Sequence, residues 1–448
     1  MLDEEIFKSY DIRGIYPKTI NEELTKKIGL AFVNLFNLKR VGVGRDGRIS
    51  SKPLEKALIQ SIKEAGADTV QFDIISTDMI YFASAYYKDL DGAVIVTASH
   101  NPKDNNGFKF ILKNAIAVSG EEGLYKMRDL IKKDKLKVAD KEGKEFSREI
   151  YNDYVRKLLS LIDVEKIKPL KVVVDAGNGV GGFIFEKVIK GLPIKMIPLY
   201  CDIDGNFPNH QPSPIEEKNL IDLKKKVTVE KADLGIAFDG DGDRIFLVDE
   251  KGQSISATIT GAMIIKKMLK KKPGAKILYN LICGWIVPEI IKANGGTSSI
   301  TKVGHSLIKE QMRKEDGLFT CEHSGHYYFR DLYYADSGML ASLVILNLLS
   351  EENRPISKIA AEYNKYYLSG EINYEVDNQK QKIAEIKKIY NDGRQSELDG
   401  LSVEYPDWRF NIRPSNTEPL LRLNIEAKSK KLMEEKIKEI SKLIKSDK

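Results

Sequence analysis

The chain has 448 residues, 42% hydrophobic and 30% charged, with 71 Lys+Arg against 65 Asp+Glu and a formal charge of +6. At roughly 100–200 residues per domain, that length suits two to four domains, each able to bury a core. The basic excess is thin and dispersed, which argues against a nucleic-acid binder, and three scattered cysteines exclude a disulfide framework or a cysteine-rich zinc site.

The N-terminal Met1-Leu2-Asp3-Glu4-Glu5 is acidic and has no basic segment leading into an apolar stretch, so no signal peptide is expected. The apolar segment Met339 to Leu349 is too short to span a bilayer. The expectation is a soluble, cytoplasmic protein with no membrane or nucleic-acid partner. The lysine runs 224–226 and 270–272 lack interleaved aromatics and read as solvated helix faces.

Strand-like and helix-like runs alternate from the start. Val41–Gly44 is followed by the amphipathic Leu54–Ala65 and then by Thr69–Ile75. The same alternation returns at Lys171–Asp175, Phe183–Ile189 and Ile194–Pro198, and again at Lys276–Asn280, Val287–Ala293 and Ser298–Thr301. Such alternation predicts α/β units with largely parallel, buried strands. The recurrence predicts three similar mixed α/β domains, spanning 1–150, 151–250 and 251–368. Beyond Ser369-Gly370 the pattern changes. A strand at Glu371–Val376, a helix at Ile383–Tyr390, strands near Leu401–Tyr405 and Leu421–Glu426, and a charged helix at Leu432–Ile444 predict a smaller α+β domain over 369–448.

Four polar loops carry the chemistry. The first, Thr97-Ala98-Ser99-His100-Asn101-Pro102, follows the strand-like Ala93–Val96. It presents a serine on a tight turn, as a covalent phosphoryl or acyl carrier requires. The second, Asp239-Gly240-Asp241-Gly242-Asp243-Arg244, lies between the apolar runs Leu234–Phe238 and Ile245–Val248. Three carboxylates this close repel unless a hard cation joins them. A calcium EF-hand is excluded because Arg244 stands at the sixth position, where that loop requires glycine. Mg²⁺ held by few protein ligands keeps positions open for a phosphate oxygen, and Arg244 adds a fixed cation beside it.

The third loop, Cys321-Glu322-His323-Ser324-Gly325-His326, offers acceptors for sugar hydroxyls at Glu322 and Ser324 and a titratable group at His326. The fourth, Arg413-Pro414-Ser415-Asn416-Thr417-Glu418-Pro419, collects a guanidinium, hydroxyls and an amide suited to a phosphate dianion.

Together these loops resemble the four signatures of the α-D-phosphohexomutase superfamily, in the family's order of phosphoserine, metal, sugar and phosphate loops. Tyr10-Asp11-Ile12-Arg13-Gly14 and Gly44-Arg45-Asp46-Gly47-Arg48 also match. Within the superfamily the chain looks most like bacterial phosphomannomutases and phosphomannomutase/phosphoglucomutases, through Asp204–His210, Gly304–Lys309 and Tyr328–Asp331.

The resemblance implies four domains around a central cleft and an isomerase that interconverts mannose 1-phosphate and mannose 6-phosphate. Phosphoserine 99 would carry the phosphoryl group, with one Mg²⁺ held by Asp239, Asp241, Asp243 and a phosphate oxygen on Ser99. A hexose 1,6-bisphosphate would be the intermediate and activator, and the protein a monomer or dimer. It further implies that Arg13 and Arg244 contact the transferring group and that His100 orients the phosphoserine. Lys109, His305 and His326 would transfer protons or touch the sugar. Tyr10, Glu322, Ser324, Arg413, Ser415, Asn416 and Thr417 would bind the substrate. The alternatives are a phosphoglucomutase or a dual-specificity enzyme, then a phosphoglucosamine mutase or a non-catalytic sugar-phosphate binder. Three positions depart from the family's pattern: Ile282 stands in place of a usual Lys or Arg, Cys321 in place of glycine, and Val303 in place of threonine.

Overall fold

In the computed structural model, which describes residues 2–415 and 420–445, strand Gly92–Val96 is buried at every residue. So are Leu234–Phe238 and Ile245–Asp249. Their apolar runs have no exposed face because helices cover both sides of the two sheets they occupy, as is usual where a sheet is largely parallel. Four sheets result, formed in succession along the chain.

The first three sheets repeat one strand order. In the first, Asp68–Ile74, Arg40–Arg45 and Gly92–Val96 run parallel, and Asn105–Leu112 returns antiparallel beside Gly92–Val96. In the second, the corresponding strands are Ile194–Leu199, Leu170–Asp175 and Leu234–Phe238, with Ile245–Asp249 returning. In the third they are Thr297–Thr301, Lys276–Asn280 and Phe319–Cys321, with Tyr327–Phe329 returning. Each sheet therefore has one hairpin leaving the carboxyl end of its third parallel strand. In such open sheets ligands gather beyond the carboxyl ends of the strands. The serine, aspartate and sugar loops are those three hairpins.

The fourth sheet is antiparallel throughout, in the order Tyr367–Glu375, Leu420–Ala427, Trp408–Pro414, Leu401–Glu404, Arg394–Ser396. Helices Gln379–Ile389 and Lys430–Lys445 contribute Ile386, Ile440 and Ile444 to its separate core. One continuous core runs from Val70 to Tyr363 through the first three units, and the first unit has a second core of its own between Ile6 and Ile131.

Most expected elements form within a few residues of their predicted limits, but three differences matter. The second sheet runs on to Ser254–Ile255, past the boundary expected near 251, and strand Tyr367–Glu375 straddles the one near 368. Arg413 and Pro414 end a strand, Trp408–Pro414, rather than opening a loop. The apolar Met339–Leu349 belongs to helix Gly338–Glu352, whose whole circumference is packed by the core. None of the described helices is long and apolar enough to cross a membrane.

Candidate active site

Ser99 follows strand Gly92–Val96 with φ at 51°, the left-handed region that residues other than glycine rarely adopt. Its N–H donates to Thr97 Oγ1 at 2.9 Å, and its Oγ donates to Asp239 Oδ2 at 2.9 Å. Arg244 Nη2 donates to the same Oγ at 3.0 Å. Arg244 Nη2 also donates to His100 Nδ1. Burial, with Arg244 and Arg13 close by, holds the His100 imidazole well below its usual pKa and therefore neutral. Arg13 ties the far side of the loop, donating to Asn101 Oδ1 at 2.7 Å while paired with Asp11 at 2.5 Å.

The aspartate loop meets the serine loop across the boundary between the first two units. Contact this close requires Gly240: a Cβ there would lie 2.4 Å from the Ser99 carbonyl oxygen. Asp239, Asp241 and Asp243 are all buried, with ligand atoms within 4.8 Å of one another. Arg244 Nε bonds Asp239 Oδ2 at 2.8 Å. Lys109 Nζ bonds Asp241 Oδ2 and Asp243 Oδ2, each at 2.9 Å. Asp241 Oδ2 also accepts from Thr77 Oγ1 at 2.6 Å.

Burial among neighbouring carboxylates raises Asp239 to about 7 against the pull of Arg244. Asp241 is also penalised by burial, but Lys109 and Thr77 outweigh this and hold its pKa low. Asp241 Oδ1 and Asp243 Oδ1 are buried without a hydrogen-bond partner among the described residues. Orphaned carboxylate oxygens are costly unless a cation takes them. The donor set is therefore all oxygen and fits a hard divalent ion.

The sugar loop joins the aspartate loop through its backbone. Ile245 N donates to Gly325 O at 3.2 Å, and Arg244 and His326 form an antiparallel bridge. His326 Nδ1 lies 3.3 Å from Glu322 Oε1 and 3.0 Å from Ser324 Oγ, and its Nε2 lies 3.7 Å from Asp243 Oδ1. Burial opposes a charged ring, but Glu322 and Asp243 outweigh it and raise the His326 pKa. Burial likewise opposes ionised Glu322, yet His326 and the Tyr328 hydroxyl bring it down to about 2.

A third-unit turn completes this side. Tyr10 OH donates to Val303 O at 3.0 Å, and its ring centroid lies 5.6 Å from that of His305. Gly304, at φ 134°, lies under the Tyr10 ring, where a Cβ would fall 2.4 Å from its atoms. His305 starts helix His305–Lys314; burial and the nearby Lys309 and Lys109 push its pKa well down, and its Nε2 has no hydrogen-bond partner among the described residues. Val303 contributes only backbone atoms, its carbonyl to Tyr10 and its N–H to Asp399 Oδ2 at 3.0 Å, so the missing threonine hydroxyl costs neither contact.

Arg413 is buried on its strand and donates to Glu371 Oε2 at 2.9 Å. Glu371 also accepts Arg422 at 3.2 Å and lies 3.7 Å from His323 Nε2 of the sugar loop. Glu371, like Thr77, was invisible in the sequence, because neither belongs to a motif and both act through partners distant along the chain. Ser415 N donates to Leu420 O at 2.7 Å; Asn416 and Thr417 lie outside the described residues. Between the second, third and fourth units lies a cavity of about 670 Å³, whose lining includes Phe246, Tyr279, Ile282, His323, Glu371 and Asn411. Ile282 thus sits on the wall of that cavity.

Residues 4–138, 150–252, 257–366 and 371–443 match the models of phosphoglucomutase/phosphomannomutase α/β/α domains I, II and III and the C-terminal domain, in that order. The chain is 39% identical over 445 residues to a phosphomannomutase of Methanocaldococcus jannaschii, covering 99% of this chain and 98% of the relative. It is 38% identical over 443 residues to a protein of Xanthomonas campestris named as phosphohexose mutases, covering 98% of each. A crystal structure of a phosphoglucomutase/phosphomannomutase family protein from Burkholderia thailandensis superposes with a TM-score of 0.91 at 33% identity, over 100% of this chain and 98% of that one.

Proposed function

The chain belongs to the phosphoglucomutase/phosphomannomutase family, and from that premise we propose that it is a phosphomannomutase. It is an isomerase that interconverts mannose 1-phosphate and mannose 6-phosphate through phosphoserine 99 and a hexose 1,6-bisphosphate. The observation that carries this reading is the Ser99 hydroxyl, held 2.9 Å from Asp239 and 3.0 Å from Arg244 at the edge of a buried acidic triad.

One Mg²⁺, held by Asp239, Asp241, Asp243 and an oxygen of phosphoserine 99, would supply charge neutralisation for the phosphoryl group. The remaining work falls to the chain. Arg244 and Arg13 stabilise negative charge on the transferring group, and positioning supplies most of the rate. His305 is neutral, and its Nε2, which has no hydrogen-bond partner among the described residues, suits contact with a sugar hydroxyl. His326, whose pKa is raised against burial by Glu322 and Asp243, suits donation to the departing oxygen. Lys109 does not exchange protons: burial works against its charge, but Asp241 and Asp243 hold its pKa well above the usual lysine value. Glu322 and Ser324 hold the sugar 3- and 4-hydroxyls, and Arg413 with Ser415, Asn416 and Thr417 binds the distal phosphate. Both phosphates of the turned intermediate fit that cradle in succession.

The test compares kcat/KM for mannose, glucose and glucosamine 1-phosphates, with Ser99→Ala as control. Mannose 1-phosphate is expected to give the highest value, and the alanine variant to lose both its bound phosphoryl group and its turnover. Full turnover by Ser99→Ala refutes the phosphoserine route; a glucose preference above tenfold refutes the sugar assignment.

A further inference from the structure

Strand Arg40–Arg45 leads into Asp46–Ser50, a segment to which the reaction above gives no role. Its Arg48 is 2% exposed and among the largest fully buried side chains. Arg48 Nη2 donates to the carbonyl oxygens of Ser99 and Asn101 at 2.7 and 2.8 Å. Nη1 donates to those of Pro102 and Asn105 at 2.7 and 3.1 Å. Nε is fixed by Asp46 Oδ2 at 3.1 Å, while Asp46 Oδ1 accepts the Arg48 N–H at 3.0 Å and Ser51 Oγ at 2.5 Å. All three guanidinium nitrogens are engaged, and the acceptors of the two terminal ones are backbone carbonyls, three in the serine loop and the fourth at Asn105, where the returning strand begins.

The second unit closes over the same loop. The Phe207 ring centroid lies 5.0 Å from the Arg48 guanidinium carbon. Gln211 Nε2 donates to the His100 carbonyl at 2.8 Å. Gln211 is itself set by His210, whose Nδ1 lies 2.9 Å from Gln211 O and whose Nε2 lies 3.1 Å from Asp175 Oδ2. Four successive carbonyls, Ser99 to Pro102, are thus held by side chains from outside the loop, around a serine with positive φ. Lysine has three donors on one point and cannot reproduce a planar fork spanning four acceptors.

We propose that Arg48, seconded by Gln211, is a positioning residue for the phosphoryl-carrying loop. Its fork keeps Ser99 Oγ between Asp239 and Arg244 in both half-reactions. The inference rests on the reading of Ser99 as phosphoryl carrier. It gives a role to Gly44–Arg48 and Asp204–His210, two motifs that touch no substrate group in the scheme above.

The test uses the full-length protein with Mg²⁺, a hexose 1,6-bisphosphate activator and mannose 1-phosphate. Arg48→Lys keeps the charge and loses the fork. Its kcat is expected to fall about 100-fold, the usual cost of an ångström-scale misplacement, with KM within twofold of wild type. Gln211→Ala, which removes one hydrogen bond, is expected to lose about fivefold in kcat with KM unchanged. Guanidinium ion added to Arg48→Ala should restore kcat saturably, a response that general loss of stability would not give. A kcat for Arg48→Lys within threefold of wild type, or a raised KM with kcat unchanged, overturns the proposal. If Arg48→Lys does not fold, Gln211→Ala decides, and an unchanged kcat overturns the clamp. A wild-type protein without mutase activity would instead refute the functional reading, which separates the two failures.

Discussion

Lys109 holds the acidic triad together in charge, and Lys109→Met tests this because it keeps the apolar stem and removes only the cation. Lys109 is 5% exposed on strand Asn105–Leu112, with Nζ 2.9 Å from both Asp241 Oδ2 and Asp243 Oδ2. Three carboxylates face two fixed cations, Lys109 and Arg244, so the site is left negative when all three are ionised. At an effective dielectric of about 20, each of these contacts is worth roughly 6 kcal/mol before desolvation. Removing one partner of a buried pair costs about 3–5 kcal/mol net. At roughly 2–4 °C per kcal/mol for a unit of this size, the melting midpoint in EDTA should fall by about 6–20 °C. Saturating Mg²⁺ should raise the midpoint of the variant more than that of wild type, because more uncompensated charge awaits the ion. Turnover with Mg²⁺ present should fall about 10–100-fold, as for loss of a residue that supports metal ligands rather than touching the reacting group. Thermal unfolding with EDTA and with Mg²⁺, together with a steady-state mutase assay, measures both effects. A midpoint in EDTA within about 2 °C of wild type, with kcat within threefold, would sink the idea that Lys109 is the triad's counter-charge.

Gly240→Ala puts a Cβ 2.4 Å from the Ser99 carbonyl oxygen and must push the two loops apart, so kcat should fall about 100-fold with little change in melting midpoint; retained kcat would show the contact to be dispensable. Glu55, buried on helix Ser51–Glu64, is pushed up to about 7 by burial against the pull of Arg45 at 3.1 Å. Its folded pKa lies above its unfolded value of 4.5, so its contribution to stability is complete below that value and is lost as pH rises toward 7. Melting midpoints of wild type and Glu55→Gln should therefore diverge between those pH values, the variant gaining relative to wild type as pH rises, and a constant difference would refute the shift.

The three hairpin loops were legible because each is bracketed by apolar strand runs and punctuated by Gly or Pro: Val96 before Ser99, Phe238 before Asp239, and Gly325 within the sugar loop. Local sequence also set most strand limits, since Lys276–Asn280 and Leu234–Phe238 form as their β-branched and aromatic residues predict. It failed where the partner is distant. Trp408–Pro414 was missed because Arg413-Pro414 reads as a loop opening, yet the sheet places Arg413 beside Arg422, and Glu371 joins both. Arg48 stood in a recognised motif, but its acceptors lie 51 to 57 residues on, and no periodicity reports them.

The arrangement that unites the loops is topological. Three sheets share one strand order, and in each the hairpin after the third parallel strand carries a single role. In the proposed reaction those roles are phosphoryl carrier, cation site and sugar contact. Such hairpins start from buried strands, so their positions are rigid while their tips stay free to vary. Val303 and Cys321, two positions where the resemblance implies other residues, lie outside the hairpin tips and leave the triad undisturbed. Val303 acts through its backbone, and Cys321 sits in the core at the end of strand Phe319–Cys321. Ile282 differs in kind, because it lines the cavity itself beside His323 and Glu371. A change in sugar preference relative to other family members is therefore expected to trace to that wall rather than to Ser99 and the acidic triad.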